Sequence, residues 1–225
     1  DKGLFIKELE HSLLDNTIDI AVHSLKDVPT ALTPGLMIAV VCEREDVRDA
    51  FISHPGKQTT GLLKVRRGAT IATGSLRRKS QLLQLRSDLH IADIRGNLDT
   101  RIEKLEKSDW DGMLLAVAGL TRLGRQALIS EVLAPTLVLP AVGQGAMAIE
   151  IRSEDSSTAS LIQALDHAPT RIATTGERAL LRRLEGGCQI PIGAYGRIER
   201  GAFRMDAIIG SLDGTRVVRS SIAGN

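Results

Sequence analysis

Short apolar runs alternate with amphipathic stretches through most of this 225-residue chain, and that alternation narrows the possible folds more than any other feature. Residues 18–24 (IDIAVHS), 36–42 (LMIAVVC), 69–75 (ATIATGS), 111–119 (DGMLLAVAG) and the run VGQGAMAIEIR read as strands. Residues 4–15, 100–107, 157–167 and 171–184 read as helices, as does the segment containing Leu76, Leu82, Leu83 and Leu85. Strand, helix and strand in repeated succession predict α/β layers with mostly parallel sheets. From Ile192 the pattern changes to short strands with turns at Glu199-Arg200-Gly201 and Asp213-Gly214. That pattern predicts an antiparallel meander with no further helix.

The core has to be aliphatic, because Phe5, Phe51, Trp110, Tyr195 and Phe203 are all the aromatics present. So few scattered rings also argue against a base-stacking nucleic-acid surface. No apolar run approaches the ~20 residues a membrane-spanning helix needs. Net charge is only +2, too small for a general polyanion binder, yet 21 of the 29 basic residues are Arg. Arginine's planar fork suits carboxylate and phosphate; a GC-rich genome would also raise the Arg count. Cys42 and Cys188 lie far apart and form neither a disulfide framework nor a zinc pattern, which fits a reducing compartment. His23, His54 and His90 lack metal-ligand spacing.

Four turns carry residues that could do chemistry. Ser24-Leu25-Lys26-Asp27-Val28-Pro29 follows the strand 18–24, where open α/β sheets bind ligands. A Ser/Asp turn punctuated by Pro is the bland alternative. Thr73-Gly74-Ser75-Leu76-Arg77-Arg78 joins a strand to a helix N-terminus, which favours anions. Arg95-Gly96-Asn97-Leu98-Asp99-Thr100-Arg101 repeats that theme. Thr100 and Glu103 have capping-box spacing, and Arg101 in a first helical turn opposes the helix dipole. Arg77, Arg78, Arg95 and Arg101 together suit a ligand with several carboxylates. No P-loop motif is present. Cys188, just past Gly186-Gly187, reads as a loop thiol open to reaction or attachment, whereas Cys42 reads as a small apolar core residue.

These motifs, in this order, resemble the porphobilinogen deaminase (hydroxymethylbilane synthase) family. The matching strings are KGLFIKELE, DIAVHSLKDVP, EREDVRDAF, SLRRKSQL, RGNLDTR, LAVAGLTRLG, LPAVGQGAMAIE and ERALLRRLEGGCQIPIGAYG. Gly74-Ser75 stands where the family often has two serines. The resemblance implies two periplasmic-binding-protein-like (type II) α/β lobes with mixed, mostly parallel sheets, plus a small α+β domain with an antiparallel three-stranded sheet. Residues 1–43 and 142–166 would form domain 1, residues 44–141 domain 2 and residues 167–225 domain 3. Family sequence is expected before Asp1 and beyond Asn225.

The implied activity joins four porphobilinogen molecules, with loss of ammonia, into the linear tetrapyrrole hydroxymethylbilane. The implied cofactor is a dipyrromethane primer held by a thioether to Cys188. Asp27 is the expected catalytic carboxylate. Ser24, Lys26, Ser75, Arg77, Arg78, Arg95 and Arg101 are expected to bind cofactor, and Arg77, Arg101 and Arg122 to bind substrate. No metal, nucleic acid or membrane partner is implied. The expected state is a cytoplasmic monomer, or a plastid one in a eukaryote. The rival class is a two-lobed module that captures a small anion without chemistry, with Cys188 incidental.

Overall fold

The computed structural model describes residues 2–184 and 190–224. Helix α1 (Lys2–Leu14) leads into β1 (Ala21–Ser24), a single 3-10 turn and β2 (Leu36–Val41). Strand β3 (Asp49–Ser53) opens a second unit. It continues through β4 (Thr70–Ala72), α2 (Leu76–Leu85), β5 (His90–Ala92), α3 (Leu98–Glu106), β6 (Gly112–Ala116), α4 (Val117–Arg122) and β7 (Glu131–Leu133). Strand β8 (Met147–Arg152) and α5 (Ser156–Ile162) return to the first unit. Helix α6 (Ala168–Arg183) and strands β9 (Ile192–Glu199), β10 (Ala202–Gly210) and β11 (Val217–Gly224) complete the chain.

Three sheets result. The first has order β1-β8-β2, and β8 runs antiparallel to both neighbours. The second has order β5-β4-β6-β3-β7; β4 pairs in parallel with β5 and β6, and only β3 runs against its neighbours. The third is the antiparallel meander β11-β10-β9. The class is the expected one, two α/β lobes with mixed sheets and a small α+β unit, but the lobes are not mostly parallel: the first sheet has no parallel pairing, because β8 returns between β1 and β2, and β3 adds two antiparallel pairings to the second.

The strand period of two explains why the five-stranded sheet is covered on both faces. Phe51 and Leu114 enter one core with Ile71 and Leu82, while Ala50, Ile52, Met113 and Leu115 enter the other with Leu105 and Leu120. The first lobe repeats this at smaller scale, with Ala148 on one side of β8 and Ile149 and Ile151 on the other. Cys42 packs beside Val40 and Ile149, as an apolar residue would.

Local details correct several boundaries. Asn97, not Thr100, caps α3: its Oδ1 accepts the Thr100 amide at 2.8 Å, so the helix starts two residues before Thr100. The strand expected over 111–119 ends at Ala116, where the chain turns into α4. Strands β3 and β7 had no expectation. Strand β3 pairs with β6 along its full five residues, and the three-residue β7 pairs with β3. On α6, Ile172 and Leu184 are exposed. The buried positions are Thr170, Ala173, Thr174 and Glu177, with Leu180 and Leu181 partly buried beside them, so a carboxylate sits on the inward face.

That carboxylate ties the units together. Arg44 donates to Glu177 Oε1 at 2.6 Å and Oε2 at 3.2 Å. The amide of Gly143 reaches Oε2 at 2.6 Å and that of Gly196 reaches Oε1 at 2.7 Å. Arg44 and Gly143 lie on the two segments that cross between lobes, and Gly196 lies on β9. Gly145, at φ +87, lets these crossing segments approach so closely that a Cβ there would lie 2.6 Å from the Glu45 carbonyl. Glu177 is fully buried and Arg44 nearly so, so removing one partner strands a desolvated charge. Glu177→Ala is expected to cost about 3–5 kcal/mol. An unchanged urea midpoint for that variant would refute the role.

Candidate active site

The three units meet at a cleft of about 320 Å³. Lys26 and Asp27 enter it from the turn after β1. Gly74, Ser75, Leu76, Arg77 and Arg78 enter from the turn after β4, and Arg101 from one turn into α3. The crossing residues Ala141, Val142 and Gln144 form its floor, and Leu181, Ile190 and Ile192 supply an apolar wall. Gly74 brings the two strand-to-helix turns together: a Cβ there would lie 2.6 Å from the Ile94 carbonyl. Ser75 caps α2, its Oγ accepting the Arg78 amide at 3.4 Å.

Arg77 and Arg78 are both buried, and Asp49 lies beneath them. Asp49 Oδ1 accepts Arg78 Nη2 at 2.7 Å and Gln144 Nε2 at 2.9 Å. Oδ2 lies 2.8 Å from Arg77 Nη1, an ion pair without hydrogen-bond alignment. Arg77 Nη1 also donates to the Leu139 carbonyl at 2.6 Å, and Arg78 Nη1 to that of Leu114 at 3.0 Å. Gln144 spends its second amide hydrogen on the Val47 carbonyl at 2.7 Å. One carboxylate thus fixes two guanidiniums and a crossing segment.

The electrostatics leave a demand for negative charge. Lys26, Arg77, Arg78 and Arg101 stand against Asp27 and the underlying Asp49. Burial lowers the pKa of Arg77; Asp49 opposes that shift and Arg78 adds to it. Burial likewise lowers Arg101, with Arg78 adding and with Asp27 and Asp93 opposing. Arginine remains charged throughout, so these shifts report cations held together in a poor solvent for charge. The buried Nε atoms of Arg77 and Arg78 have no hydrogen-bond partner among the described residues. A larger hollow, about 420 Å³, runs along α3, but Asp99, Glu103 and Glu106 line it and would repel such a ligand.

Residues 1–160 match the family model "Porphobilinogen deaminase, dipyromethane cofactor binding domain", and residues 172–225 match "Porphobilinogen deaminase, C-terminal domain". The chain belongs to the porphobilinogen deaminase family. It is 52% identical over 223 residues to the porphobilinogen deaminase of Chloroherpeton thalassium, covering 99% of this chain and 70% of that one. It is 48% identical over its whole length to that of Pelotomaculum thermopropionicum, 71% of which is covered. The Carboxydothermus hydrogenoformans porphobilinogen deaminase is 49% identical, again with 71% of its length covered. Solved periplasmic sulfonate-binding proteins from Methylobacillus flagellatus and Escherichia coli align over 76% and 79% of this chain and 52% and 57% of theirs. Identities are 12% and 14% and TM-scores 0.42 and 0.43. Likeness at that level carries no weight, and the fold rests on the sheets themselves.

The cleft gathers many of the residues that the family resemblance singles out, and leaves others outside. Lys26, Asp27, Ser75, Arg77, Arg78 and Arg101 line it. Ser24 ends β1 behind the lining, with no side-chain cap on the turn that follows. Arg95 is exposed and paired with Asp93 at 3.2 Å. Arg122 donates to the Gly145 carbonyl at 2.9 Å and so braces the crossing segment rather than the cleft. Cys188 lies outside the described residues. Reasoning from sequence overlooked Asp49, Gln144 and Glu177. The signal for Glu177 was present, a carboxylate at helical spacing from Ala173 and Leu180 on the inward face of α6; Asp49 looked like one more charge in the run Glu43–Asp49.

Asp49 also sets an acid limit. Burial raises its carboxyl pKa, but Arg77 and Arg78 outweigh burial and hold it well below the usual carboxylate range. A depressed carboxyl contributes stability above its unfolded pKa of about 4 and loses it as pH falls through the folded value. Asp49→Asn is expected to destabilise the protein at neutral pH by about 3–5 kcal/mol and to flatten the decline in stability below pH ~4. Thermal midpoints measured from pH 7 down to pH 2 check this; parallel wild-type and variant curves would exclude the role.

Proposed function

We infer that this protein is the transferase that condenses four porphobilinogen molecules, releasing ammonia, into linear hydroxymethylbilane, a step in tetrapyrrole and haem biosynthesis. The observation that carries the reading is the surplus of cations among the described residues of a cleft built from three units, two of them buried guanidiniums paired to one carboxylate. Every pyrrole of the substrate and of the growing chain carries an acetate and a propionate. Bidentate guanidinium contacts match such groups.

Residues of this chain would take the following parts. Arg77, Arg78, Arg101 and Lys26 hold side-chain carboxylates of the dipyrromethane cofactor and of the incoming substrate, and Ser75 adds a hydroxyl at the N-terminus of α2. Ser24, Arg95 and Arg122 are assigned to the same binding tasks by the family pattern. Cys188 carries the cofactor through a thioether. When bound, the cofactor supplies the free pyrrole α-carbon to which the first substrate is joined. Asp27 faces the cleft beside Arg101, and its carboxylate offsets positive charge developing on a pyrrole N–H and accepts or returns the proton at the α-carbon. The apolar wall of Leu181, Ile190 and Ile192 keeps water from part of the cleft, which strengthens those charge contacts.

The same reading divides the chain into domain 1 (1–43 and 142–166), domain 2 (44–141) and domain 3 (167–225). The three sheets and the paired crossing segments at Arg44 and Gly143 support that division. The protein is taken as a monomer of the cytoplasm, or of a plastid in a eukaryote, with no metal, nucleic-acid or membrane partner. Among the described residues no helix is long and apolar enough to cross a membrane.

Intact mass tests the cofactor directly. The native full-length holoprotein is expected to exceed its polypeptide mass by two linked pyrrole units, and the Cys188→Ala variant to lack that increment. Asp27→Ala is expected to keep the increment and lose turnover by a factor of at least ~100. Full activity without an adduct would overturn the cofactor assignment, and unchanged turnover in Asp27→Ala would overturn the catalytic one.

A further inference from the structure

Two arginines of α6 reach across to the loop that follows Asp27. Arg178 Nη1 donates to the Val28 carbonyl at 2.9 Å and Nη2 to the Pro29 carbonyl at 2.6 Å. Arg182 Nη2 donates to the carbonyl of Thr30. One guanidinium fork therefore holds two successive carbonyls, and a second holds the next. Backbone beside Asp27 is gripped at three consecutive residues by one helix face.

These cations are not placed for their own comfort. They stand one turn apart on α6, where like charges repel, and burial followed by the charge of Arg182 lowers the pKa of Arg178. The C-terminal turns of a helix do favour cations, but solvated side chains would satisfy that preference. Here Arg178 is half-buried and both forks are spent on backbone acceptors of another unit. A residue that works against local preference marks a site where something else is being specified.

We propose that Arg178, assisted by Arg182, is a positioning residue that fixes the Asp27 loop in register with α6. The proposal rests on the function inferred above. Helix α6 leads directly into the segment that contains Cys188, and its Leu181 lines the cleft on the same turn of helix that presents Arg178 and Arg182 to the loop. Asp27 and the attachment cysteine belong to different units, so their separation depends on whatever couples those units. The Arg178 fork makes that coupling one residue away from the reacting carboxylate. Loss of the fork would leave the carboxylate in the cleft but out of place, and misplacement by about 1 Å can cost a factor of ~100 in rate. The carboxylate-binding arginines would be untouched, so substrate affinity should hold.

The test uses the full-length holoenzyme, with cofactor loading checked by intact mass. Arg178→Met is expected to lower kcat about 10–100-fold with KM within about twofold of wild type. Arg178→Lys, which keeps the charge and can reach a carbonyl, should recover part of that loss. Arg182→Met, which removes only the outer contact, should show a smaller loss in the same direction, and it carries the test should Arg178→Met fail to fold. Amide hydrogen exchange over residues 28–33 should quicken in each Met variant while exchange in the five-stranded sheet stays unchanged. Unchanged kcat in both Met variants, or a loss confined to KM, overturns the positioning role. Wild-type protein lacking both adduct and ammonia release would instead sink the transferase reading itself, so the two failures are distinguishable.

Discussion

Glu177 is the interaction on which the arrangement of units depends. A carboxylate buried on the inward face of α6 is costly unless every lone pair is used. Here Arg44 and the amides of Gly143 and Gly196 use them. The partners come from the outgoing crossing segment, the returning one and the small sheet, so the charge is satisfied only when all three are in place. A hydrophobic residue at this position would bury as well but would not select one relative placement. The close approach at Gly145 and the Arg122 contact to its carbonyl reinforce the same junction.

Asp49 extends that junction into the cleft. Gln144, on the returning segment, shares the Asp49 carboxylate with Arg77 and Arg78. Two adjacent guanidiniums would repel each other and sample several rotamers if left to solvent. The shared carboxylate removes both problems, and each fork's remaining contact is a backbone carbonyl of the sheet or of the segment after it. Part of the binding surface is thereby set by the segments that join the lobes, and cleft geometry cannot vary independently of lobe placement.

The strand-to-helix turns were legible in the sequence because they depend on local chemistry. Gly74-Ser75 before a helix, a small apolar strand before Asp27, and paired arginines at a turn each have a physical reading without long-range contacts. The grouping of Arg77, Arg78 and Arg101 followed from strand-to-helix turns at one edge of one sheet, although Arg95, expected with them, stays outside the lining; Asp27 comes from the edge of a different sheet. What was illegible came from distance along the chain. Asp49 and Gln144 are 95 residues apart, and Arg44 and Glu177 are 133 apart. Nothing in the spacing of either pair announces its partner. Strand β3 was overlooked for a related reason: it follows directly on the charged run Glu43–Asp49 and runs antiparallel within an otherwise parallel sheet, paired with β6 and β7. The α3 cap was misplaced because Thr100-Glu103 mimics a capping box while Asn97 supplies the actual acceptor.

Charge arithmetic in the cleft bears on how a lengthening ligand is held. The lining supplies Lys26, Arg77, Arg78 and Arg101, of which Asp27 and Asp49 already neutralise part. Each pyrrole added would bring two carboxylates, so ligand charge would grow while the cation supply of the lining stays fixed. On the function proposed above, the first rings would use that surplus, and later carboxylates would have to find cations outside the lining or remain in water. Exposed Arg95 lies outside that lining, on the turn that leads to Arg101, and pairs with a solvent-facing Asp93. A surface pair of that kind is weak, worth about 0–1 kcal/mol, and is easily exchanged for a ligand carboxylate. On the function proposed above, the buried guanidiniums locked by Asp49 would fix one end of the ligand, and a loosely held surface guanidinium such as Arg95 would follow the other.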